Sequence, residues 1–442
     1  MSYCFRMPRR SWLAPFCLAL SLAACSSDRP TGAVCKGLCP RPDGPVPLLR
    51  ATGDEPSDQQ APSPVDTMAS DQLREQVRDL MRWRADEVPA GVPERALADL
   101  PVIEEGRLRL LALSSGGPFG AFGAGFLNGW SEQSDGDQVR PEAFDVVTGV
   151  SAGALLATHA FLGREGDPVL ARQYTTISTE DVLKERSLLG ALFSNALFDT
   201  SPLRRTLEGL VTPDLLDQVA DATSAEADMP ARLLLVLTVD LDSGLPRIID
   251  LGAIARERSD PDRITNYIDA LMASSAIPVA FPPVFIDGAM HVDGGARLAL
   301  FFNRFMEEQR ATIDDRTILA PKLDIIVNAE VTVEPACTKN SLVGIGGRSV
   351  DVVLNQLTLD GLYRTVSEAE RDGVDVRYVT AEGSGCPAPD DPADLFQRDF
   401  LQCLFAFGKE VGSGSAPWKN GLQDFPDLKI GIGNGARLAC QS

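Results

Sequence analysis

The run Leu233 to Val239, Leu-Leu-Leu-Val-Leu-Thr-Val, constrains the fold more than any other stretch of this 442-residue chain. A strand with one wet face alternates apolar and polar residues. A strand apolar throughout is buried on both faces and belongs to a largely parallel sheet covered by helices. The surrounding sequence supplies such neighbours. Residues 107–113, 144–148, 323–327 and 374–379 read as strands, and 121–130, 152–162, 264–275 and 350–367 as helices. This alternation predicts an α/β fold, a layered α/β/α sandwich around a mostly parallel central sheet.

Composition narrows the function classes. Apolar residues make up 44% and charged residues 23%, the balance of a globular protein with a sizeable core. The formal net charge is −21, which argues against nucleic acid and against broad electrostatic adhesion to anionic lipid. Two histidines, His159 and His291, are too few for a His-rich metal site, and no cofactor or metal is expected.

The N-terminus reads as an address. Arg6, Arg9 and Arg10 precede a short apolar run, Trp12 to Leu20, followed by Leu22-Ala23-Ala24-Cys25. This is a secretory signal, too short to span a bilayer. Its end resembles a bacterial lipobox, which implies cleavage before Cys25 and lipidation there. Ser26 and Ser27, with no Asp at the second position, imply the outer membrane, on its periplasmic or surface face. Residues 1–24 are thus expected to be a signal peptide and 25–70 the lipidated Cys with a Pro-, Asp- and Ser-rich tether. Residues 71–104 are read as an N-terminal helical segment, 105–300 as the core, and 301–442 as a completing C-terminal region. Six Cys remain after the leader: Cys35, Cys39, Cys337, Cys386, Cys403 and Cys440. In an exported chain they suggest disulfides, with the last four stapling the C-terminal region to itself.

Three motifs carry the chemistry. Gly149-Val150-Ser151-Ala152-Gly153 lies between a predicted strand and a predicted helix, the setting of a nucleophile elbow. The helix start adds free N–H groups for a developing oxyanion. Ser115-Gly116-Gly117-Pro118-Phe119-Gly120 is a second strand-to-helix turn. Its adjacent glycines fit an oxyanion hole or an anion cradle, and with no Lys it is not a Walker phosphate loop. Asp293-Gly294-Gly295 follows His291 and Val292 and places a carboxylate at a strand end.

Together these motifs, in this order from about Arg107 to Gly295, resemble the patatin-like phospholipase family. The resemblance implies a serine acyl-ester hydrolase of phospholipase A type on a patatin-like sandwich, working through an acyl-enzyme and acting on a lipid or acyl ester. Ser151 would be the nucleophile and Asp293 its general base. Gly116, Gly117 and the N–H of Ala152 would hold the oxyanion. The family usually places Gly then Arg or Lys in the oxyanion turn. Here Ser115 stands at that Gly and Phe119 at the basic position, so the turn lacks its usual cation.

Two other readings stay open. His291, two residues before Asp293, could complete a Ser-His-Asp triad. His159, eight residues beyond Ser151 on one helix, stands about 12 Å along the axis and reads as a satisfied helix histidine. The chain could also be a tethered binding protein on a degenerate hydrolase scaffold, since a fold alone does not establish activity. Asp240 and Asp242 read as loop acids capping a turn rather than a metal pair.

Overall fold

The computed structural model describes residues 75–80, 108–134, 138–186, 194–225, 231–302, 321–333, 337–389 and 394–426. The leader, Cys25, the tether, Cys35, Cys39 and Cys440 lie outside these residues, as does most of the 71–104 segment.

The strands are β1 (Arg109–Leu113), β2 (Val146–Val150), β3 (Lys184–Glu185), β4 (Phe198–Asp199), β5 (Leu233–Asp240), β6 (Leu245–Asp250), β7 (Val284–Ile286), β8 (Ala289–Asp293), β9 (Lys322–Val327), β10 (Asp375–Thr380) and β11 (Lys419–Asn420). Nine of them form one sheet, in the order β11-β10-β9-β1-β2-β5-β8-β7, with β6 also pairing with β5. The centre is parallel: β10, β9, β1, β2 and β5 all run the same way. The flanks are antiparallel, with β6 and β8 against β5 and β11 against β10.

The helices are α1 (Gly120–Trp130), α2 (Ala152–Phe161), α3 (Asp167–Thr176), α4 (Thr179–Val182), α5 (Ser201–Leu210), α6 (Pro213–Ala222), α7 (Leu251–Arg256), α8 (Arg263–Ser274), α9 (Leu342–Arg371) and α10 (Arg398–Ser413). They cover the sheet unequally. Successive residues of a strand point to opposite faces, and β5 feeds two cores accordingly. Leu234 and Val236 join the cluster under α1, α2, α8 and α10. Leu233, Leu235 and Leu237 join the cluster under α9, with Val77 and Leu80. β1 divides the same way, Leu111 and Leu113 to the first face and Leu110 and Ala112 to the second. The continuous apolar run is thus the sum of two buried faces.

The C-terminal helix is packed against α1 backbone to backbone. A Cβ at Gly125 would lie 2.0 Å from the Phe405 carbonyl oxygen, and one at Gly408 would lie 2.1 Å from that of Phe122. Cys386 and Cys403 form a disulfide that fastens α10 to the loop after β10, and Cys337 is disulfide-bonded as well. The long helix begins at Leu342 rather than at the expected residue 350, capped by Ser341, whose hydroxyl accepts from the Gly344 N–H at 3.0 Å.

Candidate active site

All three motifs meet at the carboxyl edge of the sheet. β2 ends at Val150 and α2 starts at Ala152, so one residue makes the whole turn. That residue, Ser151, has φ 53° and ψ −119°. A non-glycine residue holds such a conformation only when its surroundings impose it. Here the Ser274 hydroxyl accepts from the Ser151 N–H at 3.1 Å and donates to the Leu237 carbonyl at 2.7 Å. Gly153 lets the new helix start hard against β1, since a Cβ there would lie 2.3 Å from the Leu113 carbonyl oxygen. Gly149 makes the matching approach within the elbow, 2.6 Å from the Gly153 oxygen.

Asp293 closes β8 opposite Thr238, near the end of β5. Its Oδ1 accepts from the Gly295 N–H at 2.7 Å. The Ser151 side chain acts on the same carboxyl, so two residues remote in sequence are brought near each other. Burial pushes the Asp293 pKa up to about 6, against the opposing pull of the Ser151 side chain and the Gly295 N–H. A carboxyl tuned this way is a better proton acceptor near neutrality than a free one. Gly294 allows β8 to approach β5, because a Cβ there would lie 2.5 Å from the Leu237 oxygen.

The turn after β1 is held from the far side of the sheet. Asn328, which follows β9, donates its backbone N–H to the Ser114 hydroxyl and its side-chain amide to the Ser114 carbonyl, each at 2.8 Å. Gly116 lies directly on the Asn328 backbone, and Gly117 has φ +54°. Among the described residues, the N–H groups of Gly116, Gly117 and Ala152 have no acceptor. Ala152 is the first residue of α2, where free N–H groups and the helix dipole favour negative charge. Phe119, at the position where a cation was expected, packs edge-on against Phe400, with ring centroids 5.7 Å apart.

Ser151, Ala152 and Gly117 open onto a pocket of about 100 Å³. Its walls are mostly apolar: Leu155 of α2, Leu170 of α3, Leu203, Leu207 and Leu210 of α5, Leu215 of α6, and Ile277 and Phe281 beyond α8. A mostly apolar recess beside a serine hydroxyl and N–H groups without acceptors has the shape and polarity to take an ester with an apolar chain.

Both histidines are placed. His291 lies in β8 with its Nδ1 2.8 Å from the Thr238 hydroxyl, and it is not among the residues lining the Ser151 pocket. Burial lowers its pKa, with Asp240 opposing. His159 departs from the expectation of a satisfied helix histidine. It lines the pocket, makes no hydrogen bond within the described residues, and is pushed down to about 4 by burial. Burial therefore keeps it neutral near pH 7. Asp240 does cap its turn, accepting from the Asp242 N–H at 2.9 Å and the Ser243 hydroxyl at 2.6 Å. Sequence reading missed Ser274 and Asn328, which touch the reactive turns from far along the chain.

No curated protein matches the chain significantly. Among solved structures, the crystal structure of VipD from Legionella pneumophila is similar at 11% identity over 69% of this chain and 67% of that one. Its TM-score is 0.29, too low to bear on activity. Residues 111–305 match the family model described as Patatin-like phospholipase. This stretch contains the elbow, the glycine-rich turn and Asp293, and it marks the protein as a lipid acyl hydrolase by class.

Proposed function

We propose that the patatin-like domain at residues 111–305 hydrolyses acyl esters of lipids through a Ser151–Asp293 dyad. The observation that carries this reading is the placement of Ser151, on its strand-to-helix turn, near a buried carboxyl whose pKa burial has raised to about 6. Asp293 takes the hydroxyl proton as Ser151 Oγ attacks the ester carbonyl. The N–H groups of Gly116, Gly117 and Ala152 stabilise the tetrahedral oxyanion. Collapse expels the alcohol, which takes up the proton, and leaves an acyl-enzyme. Asp293 then activates water, the acyl–Oγ bond breaks, and the fatty acid departs. The apolar pocket supports a phospholipase A-type preference for an aliphatic acyl chain. Export, lipidation at Cys25 and placement at the outer membrane belong to this reading too. They rest on the leader sequence, and mass spectrometry of the mature N-terminal peptide tests them.

A fluorophosphonate probe and a lipid-class panel test the chemistry. The wild-type chain is expected to be labelled at Ser151 and to release fatty acid. Ser151→Ala should lose both, with turnover down by roughly 10³-fold or more, while its circular dichroism stays native. His291→Ala should keep activity within a few-fold of wild type, because Thr238 rather than Ser151 holds that imidazole. Loss of turnover in His291→Ala would favour the triad, and absence of any Ser151 adduct would favour a binding protein on a degenerate scaffold.

A further inference from the structure

α9 is far longer than the sheet it covers. Its 30 residues span about 45 Å, whereas a six-residue strand such as β9 spans about 20 Å. The inner half is ordinary core: Leu359, Leu362, Val366 and Ala369 are buried against the sheet. The helix crosses the carboxyl edge near residues 355–361. There the Asn355 side chain donates to the Glu330 carbonyl at 2.8 Å, and Gly361 faces Leu300. Ala299, next to Leu300, accepts from the Ser115 N–H of the glycine-rich turn at 2.8 Å. The chain leaves α9 toward the start of β10, so its N-terminal half points past the carboxyl edge, the edge that carries Ser151. About 24 Å of helix, residues 342–357, overhangs there.

That overhang is apolar and exposed. Ile345, Val350, Val352, Val353 and Leu354 are between 43% and 56% exposed. Arg348 and Asp351 are the charged residues between 342 and 357, so the stretch is neutral in a chain of net charge −21. Two of its three glycines are not explained by packing, because a Cβ at Gly346 or Gly347 would meet nothing within 4 Å. Each glycine in a helix interior costs about 1 kcal/mol relative to Ala. A neutral helix with this much exposed apolar surface is poorly suited to water and well suited to a lipid interface. Among the described residues no helix is long and apolar enough to cross a membrane, so the segment would lie in the surface.

We propose that residues 342–357 form an interfacial helix that beds the carboxyl edge of the sheet onto a lipid surface and presents packed lipid to the Ser151 pocket. The proposal rests on the lipid hydrolase reading for its substrate. Its docking force is hydrophobic, which suits zwitterionic lipid and a protein too acidic to be drawn to anionic headgroups.

The test uses the full chain and phosphatidylcholine vesicles. Val353→Trp places a reporter on the overhang that an acyl anchor elsewhere would not move. Its added emission is expected to shift to the blue and to be quenched by brominated phosphatidylcholine, relative to wild type. Unchanged emission on vesicle addition would overturn the proposal. The double variant Val350→Asp/Val353→Asp should then lose at least tenfold in hydrolysis of an ester presented in those vesicles, while a dissolved short-chain ester is turned over at the wild-type rate. Equal loss on both esters would overturn it, as would conversion of a dimer to a monomer with vesicle hydrolysis intact, which would assign the face to a second copy. A wild-type chain that docks by the Trp criterion yet hydrolyses neither ester would refute the hydrolase reading and leave the docking result standing.

Discussion

The two turns that frame the pocket, one after β1 and one after β2, are both glycine-rich and both lead from a strand into a helix, but their glycines answer different demands. In the elbow the uncommon dihedral falls on Ser151 itself, and the flanking glycines supply room: at Gly153 a Cβ would lie 2.3 Å from a main-chain oxygen of β1. In the glycine-rich turn the two demands fall on adjacent residues. Gly116 supplies room, with a Cβ position 1.6 Å from the Asn328 oxygen, and Gly117 supplies the positive φ with nothing nearby. The elbow therefore holds Ser151 by conformational restraint, while the partner turn keeps its N–H groups in place by resting on a neighbouring strand. Strain that stays on a reactive residue must be opposed by specific contacts, here the Ser274 hydroxyl.

The contrast can be broken from either side. Gly116→Ala is expected to be the most damaging change, because the clash is with main chain and cannot be relieved by a rotamer. A loss of about 3 kcal/mol or more by denaturant unfolding is expected, and near-wild-type stability would show that the turn is not seated on Asn328. On the elbow side, Asp293→Asn should abolish turnover yet stabilise the fold at pH 7, by up to about 3 kcal/mol. The sign follows from the raised pKa: the native state binds this proton more tightly than the unfolded chain does. Its contribution is therefore present below about pH 4 and lost as pH rises through about 6. Wild-type kcat/KM should fall on the acid side with an apparent pKa near 6, as the base becomes protonated. A flat profile between pH 5 and 8 would remove Asp293 from the base role. Gly117→Ala should be the mildest, about 1 kcal/mol from the dihedral alone. Thermal unfolding beside Gly116→Ala checks whether room and dihedral separate as described.

Features carried by contiguous residues were readable from sequence, and features assembled across the chain were not. The five residues around Ser151 announce their turn because the glycine spacing and the strand–helix context are local. The parallel centre of the sheet was readable because β5 is apolar on both faces. The antiparallel flank was missed although a local signal existed: Asp287-Gly288, with φ of 51° and 81°, is the Asp-Gly pair of a tight hairpin joining β7 to β8. The start of α9 was misjudged because Gly344, Gly346 and Gly347 depress helix propensity. Neither Asn328 nor Ser274 was singled out for a part in the reactive turns. The hydrogen bonds from Asn328 to Ser114 join residues 214 apart in sequence, and that from Ser151 to Ser274 joins residues 123 apart. His159 showed the opposite failure: its helix was foreseen, but the pocket it lines is walled by α3, α5 and α6 as well.

The family-model match ends at residue 305, while β9, β10 and α10 come later. β9 pairs with β1 along all five of its residues, and α10 lies against α1 with glycines on both sides of the seam. A clone stopped at the end of the likeness would strip one whole flank from the strand that leads into the anion-binding turn. It would leave an unsatisfied backbone row of the kind that recruits other chains into aggregates. For anyone expressing this enzyme, the border of homology is not a place to cut.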